Sequence, residues 1–186
     1  MELQGERLIP ASVDTTWAAL NDAEVLKSCI AGCESLERTG ADSLTAVVAV
    51  KVGPVSARFK GNLVMTNVQA PHSYTINFDG QGGVAGFGKG SADVALSAEG
   101  AQTRLKYAAR ATVGGKMAQI GSRLIDAAAG KITDDFFKAF EAHLQALATP
   151  GAPAVVVAEP DTGVRKLWWL IGALIVLAIV YFLIRK

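Results

Sequence analysis

Cysteine and histidine are nearly absent, two of each in 186 residues. Cys29 and Cys33 are spaced C-x3-C, which matches neither a disulfide framework nor the C-x2-C of zinc and redox sites; they read as reduced, partly buried thiols. His72 falls in a turn and His143 beside the apolar stripe of a helix. Neither has a Cys, Asp or Ser partner at a catalytic spacing, and no H-x3-H or H-E-x2-H occurs. No metal site and no catalytic residue is therefore expected. Asp126 and Asp134-Asp135 read as the solvated side of a helix, and Asp79 and Glu99 as strand ends. An excess of one charge is also missing, with 18 Lys and Arg against 17 Asp and Glu and the cations scattered. Nucleic-acid binding through a basic face is not expected. The first ten residues, MELQGERLIP, contain Glu2 and Glu6 and no apolar core, so they are not a secretory signal.

A phosphate loop is only approached. Gly83 to Lys89 fits G-x4-G-K, but Gly90 stands where such a loop needs Ser or Thr for magnesium, and the residues beyond it alternate as a strand. The run from Gly80 to Gly90 is better read as a flexible flap carrying Val84 and Phe87. Such a flap could gate a cavity, touch a membrane or contact a partner, or be no more than a bulged hairpin.

What the sequence does have is one long apolar run. Leu167 to Ile184, LWWLIGALIVLAIVYFLI, is uncharged and bracketed by Arg165-Lys166 and Arg185-Lys186. As a helix it would span about 27 Å, enough for a hydrocarbon core. Twelve of its eighteen residues are Leu, Ile, Val or Phe. At about −0.3 to −0.6 kcal/mol each, they favour insertion by roughly 4 to 7 kcal/mol. Trp168, Trp169 and Tyr181 sit near its ends, where amphipathic rings prefer the headgroup level. A single-pass anchor at 167–184 is expected, with the preceding domain on the cytoplasmic face of the membrane. Residues 149–166 hold Pro150, Pro153 and Pro160 and show no period. They read as a linker, and the sixteen residues from Thr149 to Val164 span roughly 20 to 25 Å on average as a flexible chain.

Residues 1–148 remain, enough for one domain. Their periodicity is mostly two. Glu2 to Ile9 reads as an edge strand, Ser12 as the N-cap of a short helix burying Trp17 and Leu20, and Ala23 to Cys29 as a second helix. Leu44 to Val52 and Val55 to Met65 read as a long hairpin turning at Gly53-Pro54. Further strands are expected at Tyr74 to Phe78, Gly88 to Glu99 and Thr103 to Val113. From Gly114-Gly115 onward, Met117, Ile120, Leu124, Ala128, Ile132, Phe136, Phe140, Leu144 and Leu147 recur at steps of three or four, predicting one helix of about nine turns. The order is strand, two small helices, six strands, long helix. It predicts an α+β helix-grip, a curved antiparallel sheet around a C-terminal helix.

Such a sheet tends to leave a hollow against its helix. Gly121, Ala127, Ala128, Ala129 and Gly130 narrow the first half of the helix, and Gly61 interrupts an inward strand face. These small residues either leave space or let helix and sheet approach closely. If the space is kept, Phe59, Leu63, Met65, Phe78, Met117, Ile120 and Leu124 are expected to line it, with Gly121 and Ala128 beneath and Phe87 at the flap; the same residues would equally serve as plain core.

Several spaced blocks resemble one family: Cys29 to Glu37 (CIAGCESLE), Lys51-Val52-Gly53-Pro54, Phe59-Lys60-Gly61, Gly86 to Gly90 (GFGKG), Gly114 to Asp126 (GGKMAQIGSRLID) and Asp135-Phe136-Phe137. Together they are similar to the carbon monoxide dehydrogenase G-subunit family of the START-like (SRPBCC) superfamily. The likeness spans nearly all of residues 1–147, with Ala31 where the family usually has Pro. It implies a helix-grip domain with an apolar cavity, a non-enzymatic accessory to a cytoplasmic molybdenum-containing carbon monoxide dehydrogenase that helps hold that enzyme at the membrane. With the anchor, it suggests a carrier that binds a respiratory quinone non-covalently, with no covalent cofactor, and presents it to the dehydrogenase. The alternative is a ligand-free adaptor that only recruits the enzyme.

Overall fold

The structure is a computed structural model that describes residues 1–148; the linker expected at 149–166 and the anchor expected at Leu167 to Ile184 lie outside the described residues. Among the described residues no helix is long and apolar enough to cross a membrane.

Alternating side chains form seven strands: β1 (Glu2–Ile9), β2 (Cys33–Arg38), β3 (Ser43–Val52), β4 (Val55–Gln69), β5 (Ser73–Gln81), β6 (Phe87–Glu99) and β7 (Gln102–Gly114). Of the six strands that follow the small helices, the sequence alone delimits five, and β2 is the sixth. All pair antiparallel in the order β1-β7-β6-β5-β4-β3-β2. From β2 to β7 each strand is the neighbour of the next, as short turns demand. Only β1 travels, laying its eight residues along β7 from Glu2 opposite Arg110 to Ile9 opposite Thr103.

Two small helices connect β1 to β2: α1 (Val13–Leu20) and α2 (Ala23–Cys29). Each starts on a side-chain cap. The Ser12 hydroxyl accepts from the Thr15 amide, and the Asp22 carboxylate accepts from the amides of Glu24 and Val25. Such caps satisfy amides left over by the first turn and are each worth about 1 kcal/mol.

The expected nine-turn helix is two helices. α3 is a single turn (Lys116–Gln119), and α4 runs from Ser122 to Ala148. Between them Gly121 takes φ +94°, and Gly115 ahead of α3 takes φ +76°. Both angles lie in the left-handed region, which glycine enters freely and a helix interior excludes. Steps of three and four cross such a break unnoticed, because side-chain spacing carries no information about φ. The predicted stripe is accordingly only partly buried. Met117, Phe140 and Leu144 are in the core, whereas Leu124, Ile132 and Leu147 are among the exposed large apolar residues.

The main core gathers at one end, under the second half of α4. Phe137, Phe140 and Leu144 pack there with Ile9, Leu20, Cys29, Leu96 and Leu105. Phe140 stacks on Phe136 with ring centroids 5.7 Å apart, and Phe137 lies 5.3 Å from Tyr107. Arg7 of β1 reaches Asp134 of α4 in an ion pair, holding helix to edge strand. A smaller cluster, Leu36, Leu44 and Ala46, sits across the sheet.

Candidate functional site

Strand register shows which residues share the helix-facing surface of the sheet. Leu96 and Leu105 are opposite each other and belong to the core under α4, so their parity marks the inner face. Counting inward by twos gives Val94, Ala92, Gly90 and Gly88 on β6, then Tyr74, Ile76, Phe78 and Gly80 on β5. Across β4 and β3 the same face carries Met65, Leu63, Gly61 and Phe59, and then Leu44, Ala46 and Val48. Side chains shrink along these rows. Gly61 lies opposite Gly80, and Gly80 opposite Gly88, so beside the β5–β6 turn the inner face has no side chains across three strands.

That gap is a cavity. It is open on one side, and its volume of about 270 Å³ is lined by Ile30, Leu36, Ala46, Val48, Phe59, Gly61, Leu63, Phe78, Gly80 and Gly88. Asn62 and Asp79 also border it, but they sit at the alternate positions. Their side chains bond each other on the outer face, where Asn62 Nδ2 donates to Asp79 Oδ1 at 3.4 Å. The glycines play different parts. A Cβ on Gly61 would come within 2.6 Å of the Asp79 carbonyl oxygen, so there glycine permits close strand approach. A Cβ on Gly88 would meet nothing within 4 Å, and one on Gly80 nothing nearer than 3.8 Å. These two keep the cavity open.

The lining offers solvation to apolar matter and no group to transfer a proton or attack a carbon. Of the two thiols, Cys33 has its pKa pushed up by burial, the reverse of an activated nucleophile. Tyr74, buried with its ring edge-on to Trp17, likewise has its pKa raised by burial. No cluster of three or more metal-ligating side chains occurs among the described residues. Of three larger recesses, two, of about 380 and 660 Å³, lie on the outer face beside Thr75, Asp93 and Lys106, and beside Asn77, Ser91 and Arg110. Both are bordered by polar side chains. In the first, Thr75 Oγ1 already donates to Asp93 Oδ1 at 2.7 Å.

Of the residues expected to line a cavity, Phe59, Leu63 and Phe78 do so. Met65 packs one row away, against the Leu36, Leu44 and Ala46 cluster. Phe87 lies at the rim, 37% exposed, with its ring against Gly114. The helical candidates are elsewhere. Met117 is buried beneath α3, Ile120 is half-buried, Gly121 forms the break, Leu124 is 50% exposed beside the Gly53 turn, and Ala128 is half-buried. Ile125, Ser122 and Ala118 border a separate recess of about 320 Å³ against Ala111 and Val113. The break at Gly121 sets α4 on its own course, so the helix contributes nothing to the cavity lining.

Sequence reasoning missed Ile30, Leu36, Ala46, Val48, Gly80 and Gly88. A signal existed for the two glycines. Continuing the period-two pattern from Phe78 to Gly80, and back from Ala92 through Gly90 to Gly88, puts them on the inner face. The composition of the glycine-rich run suggests a loop, hence the expectation of a flap. In the structure only a tight 3-10 turn, Gly83–Ala85, interrupts the hairpin, and its Ala85 is buried.

Comparison with known proteins agrees with this architecture. A conserved protein from Geobacillus kaustophilus, known from its crystal structure, superposes with a TM-score of 0.74 at 29% identity, covering 78% of this chain and 96% of that one. A START superfamily protein from Mycobacterium smegmatis follows at 0.61 and 16% identity, covering 78% and 98%. The ZhuI aromatase/cyclase from Streptomyces sp. R1128 superposes at 0.58 with 12% identity, covering 80% and 96%. The last two likenesses show the fold alone. No curated protein matches the chain. Residues 5–145 match the family described as the G-subunit of carbon monoxide dehydrogenase (CoxG), over a stretch that takes in the whole sheet but the first three residues of β1 and nearly all of α4. The chain belongs to this carbon monoxide dehydrogenase CoxG family, on a START-like fold.

Proposed function

We propose that this protein is a non-catalytic, membrane-anchored accessory of a molybdenum-containing carbon monoxide dehydrogenase, and that it carries a respiratory quinone in the inner-face cavity. The observation that carries this reading is the 270 Å³ apolar hollow held open by Gly80 and Gly88. An unfilled apolar cavity forfeits contacts that a close-packed interior would have, so a lipid-soluble guest has much to gain there. Each 100 Å² of apolar guest surface removed from water contributes about 2.5 kcal/mol. The volume is slightly under the roughly 300 Å³ at which small-molecule sites usually begin. It therefore takes one end of a long molecule, such as a quinone ring or the first units of its tail, and leaves the rest to run out of the mouth.

The remaining parts of the reading rest on sequence and family. The family name supplies the dehydrogenase as partner. The uncharged run Leu167 to Ile184 supplies a tether to the cytoplasmic face of the membrane, where quinones reside. A soluble dehydrogenase that must deliver electrons to a membrane-confined acceptor needs such a go-between.

The test is a ligand inventory. The protein is purified from a quinone-producing host, extracted into organic solvent and compared by mass spectrometry with a matched blank. A quinone at close to one per chain is expected. Other lipids would keep the carrier and change its cargo. A protein that arrives empty and takes up no added quinone would refute the carrier and leave a ligand-free adaptor.

A further inference from the structure

The cavity sits toward one end of the sheet, and that end is built unlike the other. Four segments meet there: the Gly53-Pro54 turn between β3 and β4, the Gly83–Ala85 turn, α3 and the start of α4. They touch. The Leu124 side chain comes within 3.8 Å of where a Cβ on Gly53 would be, and a Cβ on Gly115 would lie 2.5 Å from the Gly86 Cα. Phe59, which lines the cavity, lies directly beneath Gly82.

Apolar side chains project from this rim. Val84 is 86% exposed at the tip of its turn, Leu124 is 50% exposed and Phe87 is 37% exposed. A valine at a tight turn, with the buried Ala85 beside it, has been placed outward where an ordinary surface would carry a polar residue.

Cations lie on the same segments, with Lys51, Lys60 and Lys89 placed by register on the outer face of the sheet, as Phe87 is. Lys51 stands one residue pair from the β3–β4 turn, Lys60 pairs in register with Gln81 at the end of β5, and Lys89 follows Phe87 by two. Lys116 opens α3, and Arg123 lies in the first turn of α4. All five are exposed, and none is in an ion pair among the described residues. The acids near them include Asp79, opposite Lys89, Glu2, which borders a recess with Lys89, and Asp126 of α4. The opposite end, at α1, α2 and the β2–β3 turn, has the reverse balance, with Asp14, Asp22, Glu24, Glu37 and Asp42 against Lys27 and Arg38. The near-zero net charge of the whole chain hides this polarity.

We propose that the rim formed by the Gly53-Pro54 turn, Val84, Phe87 and the α3–α4 segment is a docking surface for an anionic lipid bilayer, which places the cavity mouth against the lipid. Apolar tips with cations on the same segments suit the headgroup region, where side chains insert and charges meet anionic lipid together. An acidic protein would satisfy the cations, but it would leave unexplained why Val84, Phe87 and Leu124 stand exposed at the same end of the sheet. A bilayer accounts for both. Docking is independent of any ligand, whereas its use in loading the cavity rests on the carrier reading above.

The experiment uses residues 1–148, which contain the complete sheet and core. The Geobacillus kaustophilus protein, of which 96% is covered by 78% of this chain, shows that a chain of this length folds alone. Binding is read by co-sedimentation with vesicles of phosphatidylcholine, with or without phosphatidylglycerol. Preferential binding to the anionic vesicles is expected, weakening as salt is raised. At roughly fivefold per cation, Lys116→Gln with Arg123→Gln should weaken binding about 25-fold. Val84→Asp should weaken it independently, and Lys27→Gln at the far end should leave it unchanged. Equal binding to neutral and anionic vesicles would overturn the proposal, as would loss in the Lys27 variant equal to that in the rim variants. Binding to neither vesicle would overturn it too. The ligand inventory on the same preparation separates the two readings. A quinone-loaded domain that ignores vesicles refutes the docking rim alone, and a vesicle-binding domain that holds no ligand refutes the carrier alone.

Discussion

Gly88 and Gly90 lie two residues apart on the same face of β6, and substituting each by leucine should have opposite effects. A Cβ on Gly88 meets nothing within 4 Å and points into the cavity. A Cβ on Gly90 would come within 2.0 Å of the Arg110 carbonyl oxygen and 2.9 Å of the Phe78 ring. Gly88→Leu replaces a flexible strand residue, worth about 0.4–1 kcal/mol through the unfolded chain. It also buries a leucine in vacant apolar space, worth up to about 1.5–3 kcal/mol if wholly enclosed. Because the cavity has a mouth, roughly half of the second term is realised, for a net gain of about 1–2 kcal/mol. Gly90→Leu has no room and should cost at least about 1–3 kcal/mol. In thermal melts of residues 1–148, the first variant should rise by roughly 3–6 °C and the second should fall. Under the carrier reading, Gly88→Leu should also lose its bound quinone, because the leucine takes the guest's place. If Gly88→Leu is destabilised as strongly as Gly90→Leu, the hollow is not open, and the cavity argument fails. If it is stabilised yet still carries quinone in full, the ligand lies somewhere else.

Two further outcomes follow from the packing. Phe140 is fully buried and stacked on Phe136, so Phe140→Ala should cost about 3–5 kcal/mol in urea unfolding, whereas Leu124→Ala, on the same predicted stripe but half exposed, should stay within about 0.5 kcal/mol. A comparable loss in both would mean that Leu124 is buried as Phe140 is. Burial raises the pKa of Tyr74 above its ordinary value of 10.0. The unfolded chain then releases this proton before the folded one, so the contribution is intact below about pH 10 and is lost as pH rises beyond it, at up to about 1.4 kcal/mol per pH unit. Tyr74→Phe should flatten that alkaline limb of the stability curve, and an unchanged slope would show that Tyr74 is not its source.

Period-two alternation is enough to delimit β1, β3, β4, β6 and β7 to within a residue or so, except that β4 runs on to Gln69. Ser12 is recognisable as a cap because a hydroxyl just before an apolar helical period has one obvious use. The cavity is half legible. Phe59, Leu63 and Phe78 can be assigned to it because their strands and parity are clear. Gly80 and Gly88 are hidden by a composition that looks like a loop, and the helical residues are misassigned because spacing cannot report that Gly121 turns the chain aside.

By itself the sequence determined which residues could be buried, since that depends on side-chain character and local period, and both are written along the chain. It also determined the family, through short blocks whose identity needs no coordinates. Only the tertiary structure decided where space was left over. A cavity is a property of neighbours brought together by strand register, and three glycines from 61, 80 and 88 become a hollow only when β4, β5 and β6 set them side by side. The same holds for the charged rim. Lys51, Lys89 and Arg123 are scattered in a nearly neutral sequence, and only the fold gathers them around one end.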